Sequence, residues 1–217
     1  MAHESAMERT EVIICGGGPT GMLLSACLGQ MEVANVVLER EEEIVTDPRG
    51  IALDEDGIRI LQGLGLYDKV YTEIGAHFNW LHFISGKQGL RTKPFLKIDL
   101  RTSNGSSAHV GAIAHKQPVL EKWIRYAAGR CEASQLRFGS TVLGIEEDEK
   151  AVRVEYVTTK GERRWIQGKF LIGADGKTGY VRKNYLEPRG VALESVPGYV
   201  TNHPPLPLTC LEVPVVG

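Results

Sequence analysis

The chain of 217 residues is long enough for one large domain or a two-lobed one with a sizeable core. Hydrophobic residues make up 42%, charged residues 24%, and the formal net charge is −2; with Lys and Arg scattered rather than blocked, a nucleic-acid or acidic-membrane partner is excluded as an expectation. Cys15, Cys27, Cys131 and Cys210 form no CxxC pair and no metal-like spacing with histidine, so reduced thiols in a cytoplasmic protein without a metal site are expected.

Residues 1–9, MAHESAMER, are polar, show no secretory signal and read as a disordered tail. The stretch TEVIICGGGPTGMLLSACLGQMEVANVVLER follows. Glu11–Cys15 reads as a buried strand, Met22–Gln30 as a helix whose first turn tolerates Pro19, and Val33–Leu38 as a second buried strand. Ser25 and Ala26 are small enough to let that helix lie close to a sheet. Two wholly apolar strands joined through a helix predict a parallel sheet covered on both faces. The glycines and proline between Val12 and Leu28 argue against a membrane span.

In IALDEDGIRILQGLGLYDKV, Leu53, Ile58, Leu61 and Leu64 repeat at helical spacing, and Gly65 is placed to end the helix. From 79 to 114 the character changes. WLHFIS, FLKIDL and AHVGAIA are short strand-like runs that predict a separate antiparallel sheet. KQPVLEKWIRYAAGR returns to helix, with Leu120, Ile124 and Ala127 or Ala128 on one face. LRFGSTVLGIEED, KAVRVEYVTT and ERRWIQGKFLIGADG predict three strands, the last two joined by a hairpin turn at TKGE. Beyond Arg189 the proline-rich text has no period and reads as irregular chain.

Gly16, Gly18 and Gly21 spell G-x-G-x-x-G between a strand and a helix, the context that gives this otherwise weak pattern meaning. Gly16 permits a tight turn, Gly18 lets a diphosphate approach the backbone, and Gly21 lets helix and strand pack closely. The helix N-terminus presents free N–H groups to the phosphates. Glu39 ends the second strand, where an acid accepts hydrogen bonds from the ribose hydroxyls of an adenosine. NAD and FAD present the same ADP half, so this unit alone does not choose between them. Cys15 reads as a packing residue, and His77, His82, His109 and His115 as satisfied or surface histidines.

Four segments in order, VIICGGGPTGMLLSACLGQ…VVLER, DPRGIALDEDGIRILQGLGL, HKQPVLEKWI and FLIGADGKTGYVRK, resemble the flavin-dependent aromatic hydroxylases, the para-hydroxybenzoate hydroxylase-like FAD monooxygenases. The resemblance covers about Thr10 to Arg182. It implies an α/β fold: a Rossmann-like FAD-binding domain over 10–187 with an inserted antiparallel β-sheet portion over 77–114, a partial para-hydroxybenzoate hydroxylase-like fold, followed by an irregular segment over 188–217. Carried over by position, Glu39 holds the adenosine ribose with Arg40 beside it. Arg49 lies near the flavin and its diphosphate, Gln117 contacts the ribityl region, and Asp175 sits near the flavin's phosphate and ribose. Arg182 is expected to be structural, and no catalytic acid or base is assigned.

The implied activity is an FAD-dependent monooxygenase with NAD(P)H as co-substrate and O2 as oxidant, acting on a phenolic or polyketide-like small molecule in secondary metabolism. The family's third fingerprint, a Gly-Asp before an Ala-rich helix start, does not occur in these 217 residues. The flavin ring is therefore expected to be poorly enclosed, oxygenation by this polypeptide alone is doubtful, and the proline-rich end is expected to be a read-out after a truncation or altered splice. A non-catalytic flavin-binding remnant or interaction protein is the alternative. An NAD-dependent Rossmann dehydrogenase fits less well, because Asp175-Gly176 follows a returning meander.

Overall fold

The computed structural model describes residues 7–46, 52–86, 91–101 and 109–191. Elements follow in chain order: β1 (Glu8–Arg9), β2 (Val12–Cys15), α1 (Pro19–Gln30), β3 (Asn35–Leu38), β4 (Ala52–Asp54), α2 (Glu55–Gly63) and α3 (Tyr67–Lys69). A π-helical turn over Val70–Ile74 leads into β5 (Gly75–His77), β6 (Trp80–Phe83), β7 (Leu96–Asp99), β8 (Ala112–His115) and α4 (Gln117–Gly129). Then come β9 (Ser134–Arg137), β10 (Ser140–Glu147), β11 (Val152–Thr158), β12 (Arg163–Gly168) and β13 (Phe170–Gly173), with helical turns over Val181–Leu186 and Glu187–Arg189.

Four strands in the order β13-β2-β3-β9, all parallel, form the central sheet. One face is covered by α1 and α4 through Ile14, Met22, Ala26, Val37 and Ile124, the other by the meander β10–β12 through Ile13, Val36, Leu38, Val154 and Ile166. This is why all eight residues of β2 and β3 are buried. A polar network pins α1 to the sheet: Ser25 Oγ donates to Asn35 Oδ1 at 2.6 Å, and Asn35 Nδ2 donates to Ser134 Oγ at 3.0 Å. The close approach extends to Gly29, where a Cβ would stand 2.4 Å from Ser134 Oγ.

Helix α2 begins with Asp54, whose Oδ1 accepts from Gly57 N–H at 2.9 Å. It ends at Gly65 in the left-handed region (φ 74°), with Leu66 N–H reaching Leu61 O and Gly65 N–H reaching Gln62 O, the paired bonds of a Schellman end. The predicted hairpin turn is present as well: Gly161 has φ 77°, and Thr158 N–H bonds Glu162 O at 3.0 Å.

Several expectations are corrected. The tail predicted over 1–9 is ordered at its end, since Glu8 and Arg9 pair parallel with Ile166 and Gln167. Arg137 draws Glu8 in, its guanidinium donating to both Glu8 carboxylate oxygens and to Tyr156 Oη. Leu53 lies in β4 rather than in the helix, because Asp54 caps at the following position. The runs at 134–147 and 163–173 each divide into two strands in different sheets. Gly139 (φ 67°) breaks the first, and the second breaks after Gly168, so β9 and β13 join the parallel sheet while β10 and β12 join the meander. Among the described residues the stretch from 79 to 114 contributes to two sheets: β8 lies between β4 and β5, and β6 pairs with β7. That hairpin is amphipathic, with the cross-strand pairs Leu81–Ile98 and Phe83–Leu96 on one face and Trp80–Asp99 and His82–Lys97 on the other. No described helix is long and apolar enough to cross a membrane. Among the described residues no His/Cys/Asp/Glu group could hold a metal.

Candidate functional site

At the C-terminal ends of β2, β3 and β13 lies a cavity of about 590 Å³. That position, and that size, suit a ligand site in an open α/β sheet. The glycine turn forms its floor. Gly16 (φ 105°) is folded so tightly that a Cβ would fall 2.4 Å from Ala174 O, and one on Gly21 would fall 2.0 Å from Gly16 O. Gly18 differs: nothing lies within 4 Å of its would-be Cβ, so the space it keeps clear belongs to the cavity. Gly18 is the N-cap of α1, Pro19 is the first helical residue, and no side chain caps the end. The first-turn N–H groups of Thr20 and Gly21 are thus left without a side-chain acceptor, as an anion site needs.

Glu39 follows the end of β3 and turns its carboxylate back to this loop. Its Oε2 accepts from Gly17 N–H at 2.5 Å and its Oε1 from Glu41 N–H at 2.9 Å. Two main-chain donors fix the carboxylate and leave its remaining lone pairs for the cavity. Gly17 is essential to this approach, since a Cβ there would stand 2.8 Å from Glu39 Cβ. The sequence reading left Gly17 out because the pattern treats it as a variable position.

Arg40 lines the cavity but is mostly exposed, paired with exposed Glu41 at 3.0 Å. Gln117, the first residue of α4, donates from Nε2 to buried Glu121 Oε1 at 2.7 Å. Asp175 borders the cavity and caps the helical turn after it, its Oδ2 accepting from Val181 N–H at 3.0 Å. Gly179 is packed beneath it, where a Cβ would fall 2.2 Å from Asp175 Cγ. Gly16, Gly18, Glu39, Arg40, Gln117 and Asp175 therefore meet at one cavity; Gly21 lies behind it, supporting Gly16. Arg49 lies outside the described residues. Arg182 bridges Glu187 at 3.0 Å, a structural role.

One residue escaped the sequence reading. Arg125, two turns along α4 from Gln117, also lines the cavity, with its guanidinium 4.3 Å from the Phe138 ring centre. Its Nε is buried and has no hydrogen-bond partner, and Arg125 forms no ion pair among the described residues. The four-residue spacing Gln117–Glu121–Arg125 was the available signal. The other lining charges are Arg40 and the acids Glu39, Glu41, Glu43, Glu121 and Asp175. Among the described residues, a diphosphate here would draw on main-chain amides and on Arg125. The residues fit an adenine dinucleotide: an uncapped helix end, a clear glycine approach, a fixed carboxylate and a half-buried guanidinium whose Nε has no partner among the described residues.

Cys15, beneath the loop, is 1% exposed; burial first, and then the Asp175 and Glu39 charges, push its thiol up to about 12. It packs and does not react. His77 and His82 are exposed, and half-buried His115 has its imidazole pKa lowered by burial; none of the three lines the cavity.

A family model described as an FAD binding domain matches residues 9–196. Among curated relatives, the 3-(3-hydroxy-phenyl)propionate/3-hydroxycinnamic acid hydroxylase of Paraburkholderia xenovorans is 31% identical over 173 residues, 80% of this chain and 27% of that protein. That of Comamonas testosteroni is 26% identical, covering 83% of this chain and 30% of the relative. Among solved structures, the flavin-dependent monooxygenase PieE, in complex with FAD and substrate, superimposes with a TM-score of 0.68 at 25% identity. The match covers 80% of this chain and 31% of that one. The p-nitrophenol 4-monooxygenase PnpA of Pseudomonas putida shares the fold with a TM-score of 0.73 at 24% identity over 82% of this chain and 44% of that one. The chain spans about 30% of the length of the curated relatives it matches. The chain belongs to the family of that FAD binding domain, for which FAD is the cofactor.

Proposed function

We propose that these residues are the FAD-binding portion of an NAD(P)H-dependent monooxygenase that hydroxylates a phenolic small molecule. The observation that carries this reading is the convergence of the Gly16–Gly18 turn, the fixed Glu39 carboxylate and the Arg125 guanidinium on one cavity. Amides at the start of α1 hold the diphosphate, Glu39 accepts from the adenosine ribose, and Arg125 supplies the positive charge that the acid-rich lining lacks. Gln117 and Asp175 border the flavin-side half, with Arg49 expected nearby. Bound FAD supplies hydride acceptance from NAD(P)H and activation of O2. The protein's part is to bind, orient and exclude water. The phenolic substrate class follows the named substrates of the relatives, and the free thiols Cys15, Cys27 and Cys131 are compatible with a cytoplasmic setting.

A second reading is a flavin-binding chain without oxygenase activity of its own. It is favoured by the exposed apolar face of the β6–β7 hairpin, where Phe83, Leu96 and Ile98 are 40%, 46% and 38% exposed. Visible absorption of the purified chain with added FAD, followed by NADPH oxidation and O2 uptake with 3-(3-hydroxyphenyl)propionate and p-nitrophenol, separates the two. A bound-flavin spectrum with hydroxylated product supports the monooxygenase. A bound flavin whose NADPH oxidation yields only hydrogen peroxide transfers support to the second reading, and no flavin binding removes both.

A further inference from the structure

Among the described residues Glu121 is the one buried carboxylate, 4% exposed. It lines the cavity with four other acids, Glu39, Glu41, Glu43 and Asp175. A further anion there repels a diphosphate, and its burial beside a neutral partner costs the fold stability. It forms no ion pair among the described residues. The hydrogen bond it makes is the one from Gln117 Nε2, at 2.7 Å. Neither stability nor attraction for phosphate explains this acid. Its hold on Gln117 does.

The pair is rigidly mounted. Gln117 is the first residue of α4, Pro118 fixes the backbone of the same turn, and Glu121 follows four residues on, along the same face. Leu120 and Ile124, which flank Glu121 in the helix, are 4% and 0% exposed in the main core. A carboxylate accepts and cannot donate, so Gln117 must turn its amide N–H to Glu121 and keep its carbonyl Oε1 as the free atom. Among the described residues nothing donates to that oxygen. Gln117 therefore lines the cavity as an acceptor of fixed orientation. A diphosphate offers only acceptors of its own and has no use for it, whereas a hydroxyl can donate to it.

We infer that Glu121 is a positioning residue, holding Gln117 as the acceptor for the hydroxyl-bearing chain that joins the diphosphate of FAD to its flavin ring. The inference rests on the FAD reading above and gives it a direction: Gln117 accepts and the cofactor donates. Without Glu121 the Gln117 amide turns either way, and the ligand has to order it on binding. Immobilising one such side chain weakens binding by about three- to tenfold.

Calorimetric titration with FAD, and with ADP as its competitor, isolates the effect, because ADP shares the adenosine and diphosphate but lacks the hydroxyl-bearing chain. Glu121→Met removes the acceptor at similar side-chain length. It should weaken FAD by about three- to tenfold while ADP binding holds or tightens, a negative charge having left the lining. Glu121→Gln loses the same charge but keeps a carbonyl acceptor, so its ratio of FAD to ADP affinity should stay within about twofold of the parent's. In the exchange variant, Gln117→Glu with Glu121→Gln, the amide at position 121 donates and the carboxylate at 117 still accepts from a ligand hydroxyl. The ratio should again be kept. Both single variants at 121 remove a buried charge and should melt at or above the parent's midpoint. A merely structural Glu121 would instead lower the midpoint and leave the ratio alone. An unchanged ratio in Glu121→Met, an equal loss in Glu121→Gln, or a loss in the exchange variant overturns the inference while FAD binding by the parent stands. Failure of the parent chain to bind either ligand removes the FAD reading, and this inference with it.

Discussion

Gly18→Ala isolates the ligand's demand on the glycine turn from the protein's own. No heavy atom lies within 4 Å of the added Cβ, and φ −72° with ψ −176° is ordinary for alanine. The one folding penalty is a poorer N-cap, about 0.5 kcal/mol, which lowers the thermal midpoint of a chain this size by about 1–2 °C. The diphosphate, in contrast, must come through the space the methyl fills. Loss of one amide–phosphate hydrogen bond, about 1.5–3 kcal/mol for a charged acceptor, weakens FAD binding by about 10- to 150-fold. Flavin fluorescence titration gives the affinity, and calorimetry gives the midpoint. Gly16→Ala supplies the contrast. With φ 105° and a Cβ 2.4 Å from Ala174 O, it should destabilise the fold by about 3 kcal/mol or more, roughly 6–12 °C. An FAD affinity for Gly18→Ala within twofold of the parent, with folding intact, would refute the assignment of this turn to the diphosphate.

Glu39→Ala should weaken FAD binding by about 1–3 kcal/mol while leaving FMN, which lacks the adenosine, unaffected; equal losses for both flavins would move Glu39 off the ribose. Arg125→Met keeps the side-chain length but removes the buried, unpaired Nε, so the unliganded chain should be as stable or slightly more stable while FAD binding falls about tenfold. A loss of stability without a loss of affinity would make Arg125 a packing residue only. The hydrogen bonds from Arg137 hold the Glu8 carboxyl below its ordinary value of 4.5. A depressed carboxylate stabilises the fold above its unfolded pKa and loses that contribution as pH falls through the folded one. Glu8→Gln should therefore lower the midpoint at pH 7 and converge with the parent as the pH falls below 4.5; parallel curves would deny the linkage. Cys15, with its thiol pushed up to about 12, should resist iodoacetamide at pH 8 in the native chain and react only after unfolding.

The unit around the glycine turn was legible because local rules write it. The βαβ unit is apolar strand, glycine turn, helix and apolar strand, each element within a dozen residues of the next, and Glu39 follows at the strand end. The strand divisions at Gly139 and after Gly168 were not legible, because a long apolar run does not state which sheet receives each part of it. Neighbours distant in the chain decide that: Ser134–Arg137 aligns with Asn35–Leu38, and Phe170–Gly173 with Val12–Cys15. Arg125 was hidden for a related reason. On sequence alone it is one more cation on an amphipathic helix, and its meaning comes from Phe138 and from a cavity whose other walls are about a hundred residues away.

The two glycine-containing motifs that the sequence presents separately are physically one object. Gly16 can turn as it does only because Ala174, one residue past β13, brings its carbonyl to where a Cβ would otherwise be, while Ala174 N–H bonds Cys15 O at 2.7 Å. Asp175 follows immediately, held by Val181 N–H over Gly179. The glycine turn is thus shaped from both sides of β2, by Glu39 after β3 and by Ala174-Asp175 after β13.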